Sequence, residues 1–262
     1  MPELPDVDIF KQYLESTALN KEIEKVEVPG RELLENVSVS AVKKALQGGH
    51  FSSARRHGKY LFIQAGKGRW LVLHFGMTGF LKYFKRDDSR PGHARLLIHF
   101  TNGFQLALDD QRKFGKITLS EDPASFIEER ELGPDALQVD PAYFRKKFGT
   151  SRARLKPALM NQKYLAGIGN VYSDEILFQA GLHPGTTSRD LGEGDMKNLL
   201  VQTGRVLEQA IEARADPGRM PASFIIPHRH GDGQCPGCGG ALRKERIGGR
   251  TAFYCPQCQR KK

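Results

Sequence analysis

Four cysteines fall within the last 28 residues, as Cys235-x2-Cys238, sixteen intervening residues, and Cys255-x2-Cys258. Two such knuckles offer four thiolates to one tetrahedral Zn²⁺, in the spacing of a zinc ribbon or hairpin. The competing reading, a pair of disulfides, requires an oxidising compartment. Four ligands close the coordination shell, so one structural Zn²⁺ holding a β-hairpin is expected. Four thiolates with the ion carry about −2 together. Arg243, Lys244, Arg246, Arg250, Arg260, Lys261 and Lys262 outweigh that charge, leaving a basic tip. The second chemical candidate is the start of the chain, MPELPDV. Removal of Met1 frees Pro2 as a secondary amine with a pKa of about 8, lowered further by a helix that begins there. Such an amine attacks an aldehyde carbon to give an iminium, a permanent cation suited to elimination chemistry. Taken alone, Pro2 reads as an ordinary helix starter and Glu3 as a first-turn acid. The third is AGIGN (166–170), whose glycines let backbone N–H groups approach a phosphate and whose Asn170 can cap a helix starting at Val171.

These groups need elements to hold them. Val7, Phe10 and Leu14, spaced i, i+3, i+7 with Tyr13 beside them, mark one face of a short helix over residues 5–17. Glu3, Asp6 and Asp8 suit its positive end. From about 21 to 120 the pattern changes to short β-rich runs separated by turns: KYLFI, AGKG, WLVLHF, and later ARLLIHF, TNG, FQLAL. These predict antiparallel hairpins of a sandwich or small barrel. ELGPDAL (131–137) and Asp140-Pro141 break the pattern as a linker. Leu199, Leu200, Val206, Leu207 and Ile211 then recur at helical intervals within a helical stretch over 141–214. The expected fold is α+β: a β-sandwich with an N-terminal helix over 1–130, a linker over 131–140, a helical domain over 141–220 and a zinc hairpin over 221–262.

Charge narrows the partners. The 262 residues carry 40 Lys+Arg against 30 Asp+Glu, a net +10. Residues 219–262 hold nine Lys/Arg against two Asp/Glu, most of that excess. No amphipathic basic helix accompanies it, which favours nucleic acid over a membrane surface. The longest apolar runs fall far short of the ~20 residues that cross a bilayer. The acidic start lacks a secretory signal's basic and apolar regions, so a cytoplasmic chain is expected. Nothing in the sequence signals oligomerisation, and a monomer is expected.

MPELPDV, RRHGKYLF (55–62), HFGMTG (74–79), QRKFGK (111–116), LGPDAL (132–137), KPALMNQKYLAGIGNVYSDEILFQAGLHP (156–184) and GGRTAFYCPQC (248–258) occur in this order. Together they resemble the formamidopyrimidine-DNA glycosylase / endonuclease VIII family of bifunctional DNA-repair enzymes. The resemblance implies that the helical part is a helix-two-turn-helix domain and that the partner is double-stranded DNA containing oxidised bases or abasic sites. In a bacterium the chain would work at the nucleoid. It makes Pro2 the nucleophile at C1′ of the damaged nucleotide, with Glu3 shuttling protons and Lys59 contacting phosphate beside the reacting sugar. Lys156, Asn170 and Arg250 would grip the flanking phosphates, and His74 another. Met77, Arg112 and Phe114 would fill the hole left when the base is flipped out, recovering part of a few kcal/mol of lost stacking and pairing.

The resemblance is closer to the formamidopyrimidine branch, through MPELP and the Met77, Arg112, Phe114 set. It implies excision of oxidised purines such as 8-oxoguanine, then β,δ-elimination at the abasic site. Asp6 stands where the family usually has Glu. The segment 215–235 is shorter than the lesion-capping loop of typical 8-oxoguanine excisers, and its HRHGDGQC echoes endonuclease VIII. Two alternatives therefore stand beside the main reading: a preference for oxidised pyrimidines or hydantoins, and a non-catalytic zinc-dependent protein that binds lesions or abasic sites. The state of Met1 separates catalysis from binding, because a retained Met1 turns the Pro2 nitrogen into an amide.

Overall fold

The computed structural model describes residues 1–66, 68–86, 88 and 90–261. Lys262, counted above in the basic arm, and Lys67, within the expected AGKG turn, lie outside the described residues. The chain divides into two units, Met1–Pro2 with Asp6–Glu131, and Glu3–Pro5 with Leu132–Lys262.

Helix α1 (Leu4–Thr17), which from Asp6 onward belongs to the first unit, forms on the expected face. Val7 and Leu14 are fully buried, and Phe10 packs on Phe75 with ring centroids 4.6 Å apart. The strands are β1 (Ile23–Glu27), β2 (Phe51–His57), β3 (Tyr60–Ala65), β4 (Trp70–His74), β5 (Phe80–Lys85), β6 (Ala94–Phe100), β7 (Phe104–Asp109) and β8 (Lys116–Ser120). They form two four-stranded antiparallel sheets, in the orders β1-β6-β7-β5 and β2-β3-β4-β8. Period-two alternation decides which side chains meet. On β3, Leu61 and Ile63 enter a core shared with Ile98, Leu106 and Leu108 of the other sheet. Phe62 points the opposite way, where Trp70, Val72 and Phe126 of a following helix cover it. A helix over Val39–Leu46, α2, departs from the expectation of strands throughout this stretch. Its eight residues are too few for a period to stand out, but Ser38 caps it by accepting from Ala41 N, and Val42, Ala45 and Leu46 are buried. The helix bearing Phe126 is α3 (Pro123–Glu129).

The second unit holds α4 (Pro141–Gly149), α5 (Leu155–Met160), α6 (Asn170–Gln179), α7 (Glu193–Glu212) and a hairpin of β9 (Arg243–Ile247) and β10 (Arg250–Tyr254). Phe144, Phe148, Leu159, Ile168, Ile176, Leu199 and Leu207 make its core, which also receives Leu4. The LGPDAL segment, expected to be part of a linker, is built into this unit. Gly133 N donates to Gln162 O at 2.8 Å and Ala136 N to Ala166 O at 3.0 Å, pairing it with the loop before α6. Its Gly and Pro stop a helix or strand without leaving the backbone unpaired. No helix among the described residues is long and apolar enough to cross a membrane.

Candidate functional site

In the first unit, β4 ends at His74 and turns into β5, while β7 ends at Asp109 and turns into β8. His74, Met77, Arg112 and Phe114 all lie at these two turns. Asp110 joins them. It is fully buried, and its carboxylate accepts from Thr78 Oγ1 at 2.5 Å and from Gly115 N at 2.8 Å. Met77 and Phe114 are apolar side chains held out in solvent, 39% and 51% exposed. The Arg112 guanidinium lies 5.1 Å from the Phe114 ring centroid. Ordinary core packing therefore does not account for this set. Burial, reinforced by the charge of Lys59, pushes His74 down to about 4. Its Nδ1 accepts from Gly76 N at 3.2 Å, which leaves Nε2 to carry the proton as a neutral donor. Lys59 sits in the two-residue Gly58–Lys59 turn between β2 and β3 and is 8% exposed, unlike a solvated edge lysine.

Glu3 belongs to the second unit. Its Oε2 accepts from Gly169 N at 2.6 Å and Tyr172 N at 3.3 Å, and its Oε1 accepts from Val171 N at 2.8 Å. These are orphan donors of the α6 N-terminus, where Gly169 caps without a side chain. Leu4 N donates to Gly167 O at 3.0 Å. A Cβ on Gly169 would collide with the Glu3 carboxyl group, and one on Gly167 with Leu4. The AGIGN glycines thus make room for the N-terminal segment. That corrects the expectation that these amides approach a phosphate and that Asn170 caps α6. Asn170 is instead the first helical residue, and its Oδ1 is buried with no hydrogen-bond partner among the described residues. Gln162, which sequence reasoning missed, braces the loop by donating to Met160 O and Ile168 O, each at 2.8 Å, and accepting from Gly167 N at 3.0 Å.

Lys156 is also placed differently from the expectation of a phosphate contact. Its side chain is fully buried, and Nζ donates to Asn170 O at 3.0 Å, Ser173 Oγ at 3.0 Å and Asp174 Oδ1 at 2.6 Å. Those acceptors take all three of its donors. Desolvation lowers its pKa, against the opposing pull of Asp174. Asp174 Oδ2 accepts in turn from Arg229 Nη2 at 2.8 Å and from Phe253 N of β10 at 3.1 Å. One buried carboxylate thereby ties α5, α6, the 226–234 segment and the hairpin together. The signal was present in the sequence as two adjacent acids, Asp174 and Glu175, inside the largely apolar run VYSDEILF.

Glu175 is buried too, accepting from Gln179 Nε2 and Ile226 N, each at 2.9 Å. Burial raises its pKa to about 7. A carboxyl raised in the folded state contributes stability below its unfolded pKa, and that contribution is lost as pH rises through about 7. Glu175→Gln should remove a pH dependence on the order of 2–3 kcal/mol between pH 5 and 8. Paired urea titrations of the two proteins at both pH values check this. Identical pH slopes would contradict it.

The four cysteine sulfurs lie within 4.8 Å of one another, with Cys235–Cys258 at 3.7 Å and Cys238–Cys255 at 3.6 Å. Tetrahedral Zn–S bonds of about 2.3 Å require S···S separations near 3.8 Å, whereas a disulfide requires about 2.05 Å. The donor set fits one structural Zn²⁺. Arg250 opens β10 after the Gly248–Gly249 turn and is exposed, while Ile247 and Cys255 are buried. Stripping the metal should unfold this hairpin and weaken DNA binding by at least about tenfold. DNA titration alongside metal analysis tests it. Unchanged affinity in demonstrably zinc-free protein would count against a role for the hairpin in binding.

Three family models match this chain: the formamidopyrimidine-DNA glycosylase N-terminal domain over residues 1–117, its H2TH domain over 132–220, and a zinc finger found in FPG and IleRS over 234–260. The formamidopyrimidine-DNA glycosylase of Pelobacter propionicus is 34% identical, with 99% of this chain and 100% of that protein aligned. The Lactococcus lactis Fpg bound to DNA containing an abasic site superposes with a TM-score of 0.90 at 28% identity, covering 99% of this chain and 100% of the other. The same organism's enzyme bound to FAPY-dG-containing DNA gives 0.89 at 27%, with the same coverage. Matched by the family's models through both domains and its zinc finger, and a third identical to a relative along its full length, the chain belongs to the formamidopyrimidine-DNA glycosylase family.

Proposed function

We propose that this chain excises oxidised purines, 8-oxoguanine and formamidopyrimidines, from duplex DNA and then cleaves the abasic site, acting as a monomer in the cytoplasm. Pro2, freed of Met1, is the nucleophile. Its nitrogen adds to C1′, the glycosidic electron pair leaves with the base, and the base takes up a proton. Ring opening places a proton on O4′ and yields the iminium. Loss of a C2′ proton then expels the 3′ phosphate, loss of a C4′ proton expels the 5′ phosphate, and water releases Pro2. The observation that carries this reading is the anchoring of Glu3, one peptide bond from Pro2, by three backbone amides. An ordinary first-turn acid on α1 would face solvent, whereas Glu3 is 1% exposed.

Met77, Arg112 and Phe114 occupy the vacated stack, and Lys59, neutral His74, Asn170 and Arg250 contact phosphates. Lys156 acts behind Asn170, whose carbonyl oxygen it holds at 3.0 Å. Zinc takes no part in the chemistry and shapes only the hairpin. The formamidopyrimidine name of the relatives and the FAPY-dG ligand of the Lactococcus lactis complex support oxidised purines over pyrimidines. Likeness to glycosylases over the whole length disfavours a role in binding alone. Borohydride reduction on a duplex carrying an abasic site is the test, because it freezes only a genuine iminium. A covalent band with protein whose mass shows it begins at Pro2 is the expected result. Tight binding without a band would leave a zinc-dependent DNA-binding protein.

A further inference from the structure

The proposed base-filling trio is divided between two turns that are distant in sequence, so something must fix one turn against the other. Asp110 stands between them and is fully buried. One carboxylate oxygen takes the hydroxyl of Thr78, the residue after Met77, at 2.5 Å. The other takes the N–H of Gly115, the residue after Phe114, at 2.8 Å. The same Thr78 hydroxyl oxygen accepts from Arg112 N at 3.1 Å. Each of the three side chains is thus on, or next to, a residue bonded into one Asp110–Thr78 unit. The backbone of Asp110 is itself fixed, since its N–H donates to His93 O at 3.0 Å and its carbonyl accepts from Arg95 Nε at 2.9 Å. The turns also touch directly. Gly76 passes so close to the Phe114 backbone that a Cβ there would not fit.

We infer that Asp110 and Thr78 are positioning residues for base extrusion: they lock the Met77 turn to the Arg112–Phe114 turn so that the trio enters the duplex as one pre-set wedge. The inference rests on the base-filling role given above to those three residues. Preorganisation is needed when a paired base must be displaced from the stack, because a loose wedge must be ordered during insertion. At a preformed abasic site no damaged base remains to be displaced. The lock therefore matters for the glycosylase step and much less for the lyase step, a split that a merely structural role would not produce.

Thr78→Val removes the hydroxyl and keeps the shape, Asp110→Asn keeps an acceptor for Gly115 N, and Thr78→Ser restores the hydroxyl. Single-turnover excision of a paired oxidised purine and cleavage of a preformed abasic site are measured for each, with 2-aminopurine fluorescence beside the lesion reporting wedge insertion. A lost hydrogen bond in a buried pair corresponds to roughly tenfold or more. Thr78→Val and Asp110→Asn should slow insertion and paired-lesion excision by about that factor while abasic-site cleavage stays within about threefold, and Thr78→Ser should match the wild type. The inference is overturned if Thr78→Val inserts and excises as the wild type does, or if both activities fall together with the melting temperature. Met77→Ala and Phe114→Ala separate the two readings. If they leave the fluorescence signal intact, the base-filling role fails and this assignment with it. If they abolish it while Thr78→Val does not, only the assignment fails.

Discussion

Protein that keeps Met1 will give almost no borohydride-trapped adduct with abasic DNA, however tightly it binds that DNA, because its only free α-amine is then the primary amine of Met1, one residue away from the nucleophile's place. With Met1 attached, the Pro2 nitrogen is an amide whose lone pair is delocalised into the carbonyl, so it cannot add to C1′. Loss of a covalent nucleophile is not compensated by binding groups. Trapping and strand cleavage should therefore fall by about a thousandfold or more, while the affinity for abasic duplex changes little. Pro2→Gly, once processed, is a subtler case. It retains a primary amine and can still form an imine, but that imine loses its proton readily and is a weaker electron sink than the permanent cation. Its trapped band should be reduced rather than absent. Efficient trapping by protein of verified mass that includes Met1 would exclude Pro2 as the nucleophile.

Asp174→Ala should destabilise the fold by about 3–5 kcal/mol, the usual range when one partner of a buried ion pair is removed. Asp174 is fully buried and serves Lys156, Arg229 and the Phe253 amide at once. Its removal leaves a buried ammonium with only two neutral acceptors, Asn170 O and Ser173 Oγ. Lys156, already lowered by desolvation, then loses the opposing influence of the carboxylate and gives up its proton more easily. Asp174→Asn keeps one acceptor oxygen, enough for Lys156 or for Phe253 N but not for both, since they bond opposite carboxylate oxygens; it should be milder than Asp174→Ala. Equilibrium urea unfolding of the three proteins measures the ranking. A loss below about 1 kcal/mol for Asp174→Ala would mean that the pair is dispensable.

The zinc ligands were legible because chelation imposes spacing within one short segment, and β3–β4 and β6–β7 because turn chemistry and alternation are local. Pro2 was singled out by its amine chemistry but alone reads as a helix starter, and the trio was named only through the resemblance, since an exposed Met and Phe look like core residues in a string of letters. The roles of Glu3 and Asp110 left no periodic trace. Glu3 meets amides 166 to 169 positions away, and Asp110 meets Thr78 across 32. AGIGN illustrates the limit. Its glycines were correctly read as permitting close approach, but the group that approaches is a side chain of the same protein. Lys156 was misread because its burial depends on Asp174, one turn into another helix, and not on its own neighbours.

The distance in sequence between Glu3 and α6 also has a temporal side. Glu3 is made long before the amides that seat it, which are not all present until Tyr172 has been added. At about 5–20 residues per second this is an interval of roughly ten to thirty seconds. During it the first residues of the nascent chain have no docking place and stay open to an aminopeptidase. Under the role proposed for Pro2, removal of Met1 would fall in this interval, and a chain cut short before α6 would carry the proline without the amides that seat its neighbour.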